Sequence, residues 1–422
     1  MNDNAKKLIV TDGETDARIH DGIEKYRKGD FCIRADVPVV KVTLKKHKFR
    51  FGCNLFMLDE FPDDAGKNAV YEQKFKEIFN MATLPFYWNA TEPEEGRTRY
   101  AADSAKMYRR PAIDLCMNWC EQNAIEPREH ALCYEHNFPK WLAGRSTEEV
   151  KRRLAGRMRE IAKRYKDRIR TIEVTNEMYW DEGVTEFFKS PDFMTFCYER
   201  AAEYFPENRL CINEWTGAIW DAAAAPWDPY YALIENLLLK GARIDAIGMQ
   251  FHMFYAPDEY FAKTRKCYDL AHDLKVMDNY ARFGKPLQIT EITVPSYTQL
   301  PEDEQTQADI IEKLYSMWFS HPLTEQIIYW NMVDGYAYGT RPGDMNAGEN
   351  VYRGGLLRFD MSEKPAYRRL KHLVRDVWTT REEIEVKNGE AHFRGFYGEY
   401  EAEAGGRKFN IEFNEDGKQV RL

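Results

Sequence analysis

The chain has 422 residues, 44% of them hydrophobic and 31% charged, with a formal net charge of −9 at pH 7. That length holds one large α/β barrel with an accessory piece, or two to three ordinary domains. The negative balance and the lack of a long basic run argue against nucleic acid or an anionic membrane as partner, and no run of about 18 apolar residues reads as a membrane span.

Residues 1–30 lack the apolar core of a secretory leader. Location therefore reads as cytoplasmic, or as secreted with the leader removed. Residues 1–48 read as a mobile lead followed by two alternating segments, DFCIRADV and VVKVTLKKHKF, predicted as short strands. From 49 to 378, short apolar runs alternate with long amphipathic ones. Strands are predicted at 50–55, 81–86, 129–134, 171–176, 210–213, 246–251, 287–290 and 327–331. Between the third and fourth of these, STEEVKRRLAGRMREIAKRYKDR opens on Ser146 and Glu149, a capping-box pattern, and carries Val150, Leu154, Met158 and Ile161 on one face. Eight strands, each followed by helical sequence, predict a (β/α)8 barrel. Residues 379–422 read as a β module with turns at Asn388-Gly389 and Gly405-Gly406, packed with the N-terminal strands. Its rings Phe393, Phe396, Tyr397 and Tyr400 form either a sugar-binding face or the packing of the module onto the barrel.

Cysteines stand at 32, 53, 116, 120, 133, 197, 211 and 267. Cys116 and Cys120 are one helical turn apart, but no second close pair completes a zinc site, so they read as reduced core thiols. No metal and no cofactor are expected.

In a barrel of this kind, active residues come from the C-terminal ends of strands. Asn176-Glu177 follows the fourth predicted strand and Glu291 the seventh. The sixth carries Gln250 and His252, two apart and hence on one face. The fifth ends in Asn213-Glu214 and the eighth in Trp330-Asn331. Two glutamates on facing sides of one rim suit glycoside hydrolysis: one protonates the departing oxygen, the other attacks the anomeric carbon, about 5–5.5 Å away for retention. The plain alternative makes each an ion-pair partner on the rim, and Glu214 competes with Glu177. No lysine stands at a predicted strand end, which argues against a Schiff-base aldolase. Both glutamates are present, which argues against a barrel that binds carbohydrate without turnover.

The motifs FNMATLPFYWNATEPEEG, REHALCYEHNFPKW, VTNE, INEW, IGMQFHM, QITEITV and YWNMVDGYAY, followed by GLLRFD and KPAY, resemble in sequence order those of glycoside hydrolase family 10, over residues 49–375. The resemblance implies a retaining endo-β-1,4-xylanase acting on a carbohydrate. It implies Glu177 as acid/base and Glu291 as nucleophile. Asn176 would bond the sugar 2-hydroxyl, and His252 would hold the nucleophile with Gln250 beside it. His130 and Trp330 would line the same sugar, over a floor supported by Trp88. The nucleophile must be ionised and so needs donors around it, while the acid needs a raised pKa.

This sequence also departs from the family. Tyr87 takes the place of the lysine in Glu-Asn-x-x-Lys-Trp, and the Glu-Asn pair is missing. In the next motif Tyr134, Glu135 and Asn137 replace Trp, His and Gln. Tyr338 takes the place of a tryptophan in the eighth-strand loop. These changes predict an altered donor side suited to a modified or non-xylan β-glycoside.

Overall fold

The computed structural model describes residues 1–61, 65–179 and 183–422. Two strands come first, β1 (Lys28–Arg34) and β2 (Val39–His47). Eight more follow: β3 (Arg50–Asn54), β4 (Met81–Pro85), β5 (Glu126–His130), β6 (Thr171–Asn176), β7 (Arg209–Glu214), β8 (Ala246–His252), β9 (Leu287–Thr293) and β10 (Thr324–Tyr329). These eight close into a parallel barrel in the order β10-β3-β4-β5-β6-β7-β8-β9. With helices between successive strands, this is the predicted (β/α)8 architecture. Parallel barrel strands are covered on both sides, so most read as near-continuous apolar runs.

β5 does not, and the predicted strand at 129–134 is corrected to Glu126–His130. Its residues are Glu-Pro-Arg-Glu-His, a poor strand signal, yet Arg128 and Glu129 are fully buried. The apolar stretch taken for the strand lies just beyond it: the Leu132 and Cys133 N–H groups donate to the carbonyls of Glu173 and Val174 (2.9 and 3.1 Å). β9 runs three residues past its predicted end, so Glu291 lies inside the strand rather than after it.

The helix Thr147–Tyr165 forms as its caps predict. The Ser146 side chain accepts from the Glu149 N–H, and Val150, Leu154, Met158 and Ile161 are buried. Among the described residues no helix is long and apolar enough to cross a membrane.

The N-terminal lead forms two helices, Asp3–Leu8 and Gly13–Arg27. Asn2 and Asp12 cap these helices through the Ala5 and Thr15 N–H groups (2.9 and 2.8 Å). The second packs so tightly on the barrel helix Pro301–Ser320 that a Cβ at Gly22 would lie 2.5 Å from the Ser320 carbonyl oxygen. The Arg27 guanidinium donates to the carbonyls of Phe319 and His321.

Five strands complete the chain: β11 (Arg381–Glu385), β12 (Glu390–Phe396), β13 (Gly398–Ala404), β14 (Arg407–Phe413) and β15 (Gln419–Arg421). With β1 and β2 they form two sheets, β12-β1-β15 and β11-β2-β13-β14. The Gly405-Gly406 turn joins a true hairpin, with Ala404 paired to Arg407. Asn388-Gly389 also turns, at φ of 52° and 80°, but its flanking strands then part: β11 pairs with β2 and β12 with β1. The aromatic residues of this module are interior. Phe31 stacks on Phe413 at 4.3 Å between ring centroids and meets Phe393 edge-on at 5.3 Å. Phe393, Phe396, Tyr397 and Tyr400 are all buried, so they pack the module and its junction with the barrel rather than face solvent.

Candidate active site

Two Asn-Glu pairs stand side by side at the ends of β6 and β7, with Asn176 paired to Asn213 in the ladder. Their glutamates part because the backbones differ. Glu214 remains in strand and is fully buried. Its carboxylate accepts the Met178 N–H at 2.6 Å and the Trp215 N–H at 3.3 Å. Burial pushes the Glu214 pKa up to about 8, opposed by the Met178 N–H and reinforced by Glu177. Glu177 is outside the strand, at φ of +54°, a left-handed conformation that a residue with a Cβ adopts at a cost. Its N–H donates to the Asn213 carbonyl (3.2 Å). The end of β7 thus holds the turn that swings Glu177 into the cleft, and Glu214 braces that turn.

Asn213 is the hub beneath. Its Oδ1 accepts from the Thr290 hydroxyl at 2.7 Å, which orients the amide. Its Nδ2 faces three acceptors: Glu291 Oε1 (2.9 Å), Asn176 Oδ1 (2.9 Å) and Glu173 Oε1 (3.2 Å). Space for it exists because residue 248 on β8 is glycine: a Cβ there would lie 2.5 Å from Asn213 Oδ1. Gln250 continues the chain, its Nε2 donating to Asn176 Oδ1 (3.1 Å) and Glu177 Oε1 (2.8 Å). The Tyr134 hydroxyl donates to Glu177 Oε2 at 3.0 Å. Glu177 and Glu291 are therefore linked through three amide side chains. Asn176 spends its oxygen on this network, while its Nδ2, buried, is left without a protein partner.

Glu291 is 3% exposed. Burial pushes its pKa up to about 8; Glu173 and Glu177 add to the rise, and His130 and Arg128 oppose it. His252 Nε2 stands 3.3 Å from Glu291 Oε2, with Nδ1 2.9 Å from the Thr293 hydroxyl. Burial lowers the His252 pKa to about 4, so near neutrality it is an uncharged neighbour of the carboxyl. Positive charge comes from below. Arg128 pairs with Glu173, and His130 Nδ1 lies 2.8 Å from the same carboxylate. Burial opposes charge on both Glu173 and His130, but the attraction of Arg128 and then His130 outweighs it for Glu173, and that of Glu173 and Glu291 outweighs it for His130. The Glu173 pKa is lowered and that of His130 raised. His130, Glu173 and Glu291 come close enough together to share a cation, but Arg128 already supplies that charge to Glu173.

The cleft has a volume of about 530 Å³. It gathers Tyr87, His130, Tyr134, Asn176, Glu177, Gln250, His252, Glu291 and Trp330 from the residues singled out in the sequence. Four others do not line it. Trp88 is buried against Phe138 and Trp141, its indole N–H donating to Glu92 (2.9 Å). Glu135 and Asn137, in the short turn Glu135–Asn137, are also buried. Tyr338 is 55% exposed, beside the cleft. The Tyr87 hydroxyl lies 3.0 Å from His130 Nε2. Sequence reasoning missed the lining residues His136, Trp215, Thr216, Phe254, Tyr255 and Glu349, along with Glu173 beneath, and it named Asn213 only as a strand end. Glu173 gave no spacing signal, because Glu177 lies beyond the end of β6 in a left-handed conformation and strand alternation does not connect the two.

Residues 44–372 match the family described as glycosyl hydrolase family 10. Among curated proteins, the anti-sigma-I factor RsgI6 of Acetivibrio thermocellus is 25% identical over 373 residues, covering 86% of this chain and 42% of that protein. Endo-1,4-beta-xylanase 2 of Arabidopsis thaliana is 24% identical over 324 residues, covering 76% of this chain and 26% of that protein. The chain thus spans less than half the length of either relative. Among solved structures, xylanase 10B from Thermotoga petrophila, in complex with xylobiose, has the same fold. Its TM-score is 0.59 at 20% identity, over 78% of this chain and 94% of that one. With its barrel and four-fifths of its length matched, the chain belongs to glycosyl hydrolase family 10.

Proposed function

We propose that this chain hydrolyses β-glycosidic bonds of a xylan-type glycan with retention, through a covalent glycosyl-enzyme. The observation that carries the reading is the hydrogen-bonded chain joining Glu177 to Glu291 across one cleft, with an amide donor, Asn176 Nδ2, free beside both.

Glu177 is the acid/base. It gives its proton to the departing glycosidic oxygen as that C–O bond breaks, while a Glu291 oxygen bonds to the anomeric carbon. The first step needs one proton on the pair, held by Glu177. In the empty cleft burial favours the protonated form of Glu291. A sugar placed with its anomeric carbon beside Glu291 reverses that preference, because the positive charge developing there stabilises the carboxylate. Asn213 donates to the attacking carboxylate and holds it in line. Once the ester has formed, the negative charge of Glu291 is gone. Glu177, now ionised, takes a proton from water, which attacks the anomeric carbon from the face the leaving group vacated as the ester bond to Glu291 breaks and frees its carboxylate. Asn176 Nδ2 donates to the sugar 2-hydroxyl, a bond that strengthens in the transition state. His130, charged by its carboxylate neighbours, offers one N–H to Glu173 and the other to the Tyr87 oxygen. The Tyr87 hydroxyl hydrogen is then free for the sugar.

Xylan chemistry is favoured by the names of the relatives. A modified β-glycan is favoured by the donor side, where tyrosine stands in the family's lysine position. Hydrolysis of xylan, mixed-linkage glucan, mannan and aryl β-glycosides separates the two. NMR of the first product should show the β-anomer. Glu291→Ala should lose about 10⁴-fold or more of kcat. Glu177→Ala should still release a good aryl leaving group, with azide restoring the second step as a β-glycosyl azide. An α-anomeric first product, or full activity in both variants, overturns the mechanism.

A further inference from the structure

We propose that Arg110, held between the rings of Tyr87 and Tyr338, binds the carboxylate of a uronic-acid unit carried by the glycan. This rests on the β-glycanase reading above and names a substrate feature for it. Arg110 ends the long loop between Trp88–Thr91 and the helix Ile113–Gln122. Its guanidinium carbon lies 4.1 Å from the ring centre of Tyr87, 4.2 Å from that of Tyr338 and 5.5 Å from that of Phe56. The side chain is about 95% buried, being 5% exposed. Its Nη1 donates to the Arg109 carbonyl (2.9 Å), and its buried Nε has no partner.

Arg109 is similar: its guanidinium donates to the Tyr336 carbonyl and to Asn331 Oδ1, and its Nε is also buried and unpartnered. Among the described residues no carboxylate forms an ion pair with either guanidinium. The buried Arg128, by contrast, meets Glu173 directly. A buried cation without an anion is costly, and two in succession mark a place where an anion is expected. The nearest acid in the cleft wall is Glu349, which accepts from Asn331 Nδ2 at 2.9 Å and acts on Arg110 only at longer range.

The position is suitable. Tyr87 and Glu349 line the cleft, and Tyr338 is exposed on its outer side. The family's lysine is absent from position 87, and Arg110 lies directly over the ring found there. A guanidinium fork between two rings presents its N–H edge in one plane, the geometry a carboxylate accepts in a two-point contact. Neutral hydroxyls would meet the same edge without relieving the charge.

The test uses the full chain with Glu291→Ala, so that ligand persists, and calorimetric titration. The ligands are a xylo-oligosaccharide bearing a uronic-acid branch and the same sugar with that carboxyl reduced to an alcohol. The acidic sugar should bind about 10–100-fold more tightly. The difference should shrink with added salt and vanish when Arg110→Gln is added. Equal affinities, or a preference that survives Arg110→Gln, overturn the proposal. The comparison of ligands on the parent variant needs no change at Arg110, so a folding defect cannot decide it. Wild-type turnover of the neutral sugar distinguishes the two readings. Cleavage without acidic preference overturns Arg110 alone. Failure to bind or cleave either sugar removes the xylan reading, and the inference with it.

Discussion

At the bottom of the cleft, Asn213 has bonds on both its oxygen and its nitrogen. At the donor side, Arg109 and Arg110 keep guanidinium N–H groups that meet only rings and carbonyls. The two regions lie within one wall of barrel loops and strand ends, yet they are finished to different degrees. In the first, amides fix both carboxylates without ligand and leave Asn176 Nδ2 over for the sugar hydroxyl proposed above. The second, on the reading proposed above, is completed by a bound carboxylate. Preorganised groups belong where charge develops in a reaction, and unsatisfied ones where a ligand is to be recognised.

The largest expected effect comes from breaking the finished region. Asn213→Ala removes a donor from Glu291, from Asn176 and from Glu173 in one change. The nucleophile loses its alignment and Asn176 is free to turn its amide. About a 10²–10³-fold loss in kcat is expected on an aryl β-xyloside, with KM changed far less. A loss confined to KM would place the hub among binding groups and erase the contrast.

Next in size is the cost of keeping Glu291 dry. Its pKa in the folded chain is raised to about 8 from 4.5. The folded state therefore holds this proton more tightly than the unfolded chain, and the stability it contributes is present below about 4.5 and lost as pH rises through about 8. Glu291→Gln does not titrate. At pH 8 it should be more stable than the parent by several degrees in Tm, with no such gain at pH 4. A Tm difference independent of pH would show that Glu291 is already charged in the empty cleft.

How much of this was legible follows from where each group lies. Glu177 and Glu291 stand out because acids at strand ends interrupt apolar runs. Glu173, Arg128 and Asn213 lie one layer deeper, where a polar residue in a strand looks like an exposed one. Their partners are 37 or more residues away, so spacing gives no hint. β5 escaped its correct bounds for the same reason: its buried charges make it read as surface. The Asn-Glu pair at 213–214 was visible, but its roles are inverted relative to 176–177. That inversion depends on a single φ angle at Glu177, and a Glu carries no sequence mark for a left-handed turn. Arg110 was invisible because nothing in MYRRPAID says that two rings, from positions 87 and 338, will close over it.

The smallest expected effect separates the two rings of that clamp. Tyr87 is 4% exposed and Tyr338 is 55% exposed. Tyr87 packs against Phe56 and bonds His130, so Tyr87→Ala should cost about 3–4 kcal/mol of stability and disturb the catalytic floor. Tyr338 offers Arg110 one face and solvent the other. Its cation–π contact at an exposed site is worth about 0.5–1 kcal/mol, so Tyr338→Ala should lower Tm by no more than about 1 °C. On an aryl β-xyloside its kcat should stay within about two-fold, because nothing in the Asn213 network touches it. KM for a branched acidic oligosaccharide should rise about 3–10-fold, because the guanidinium loses the ring that holds its plane. If kcat on the aryl substrate falls as steeply as in Asn213→Ala, the donor wall is part of the reacting centre, and the division between a finished and a waiting region is wrong.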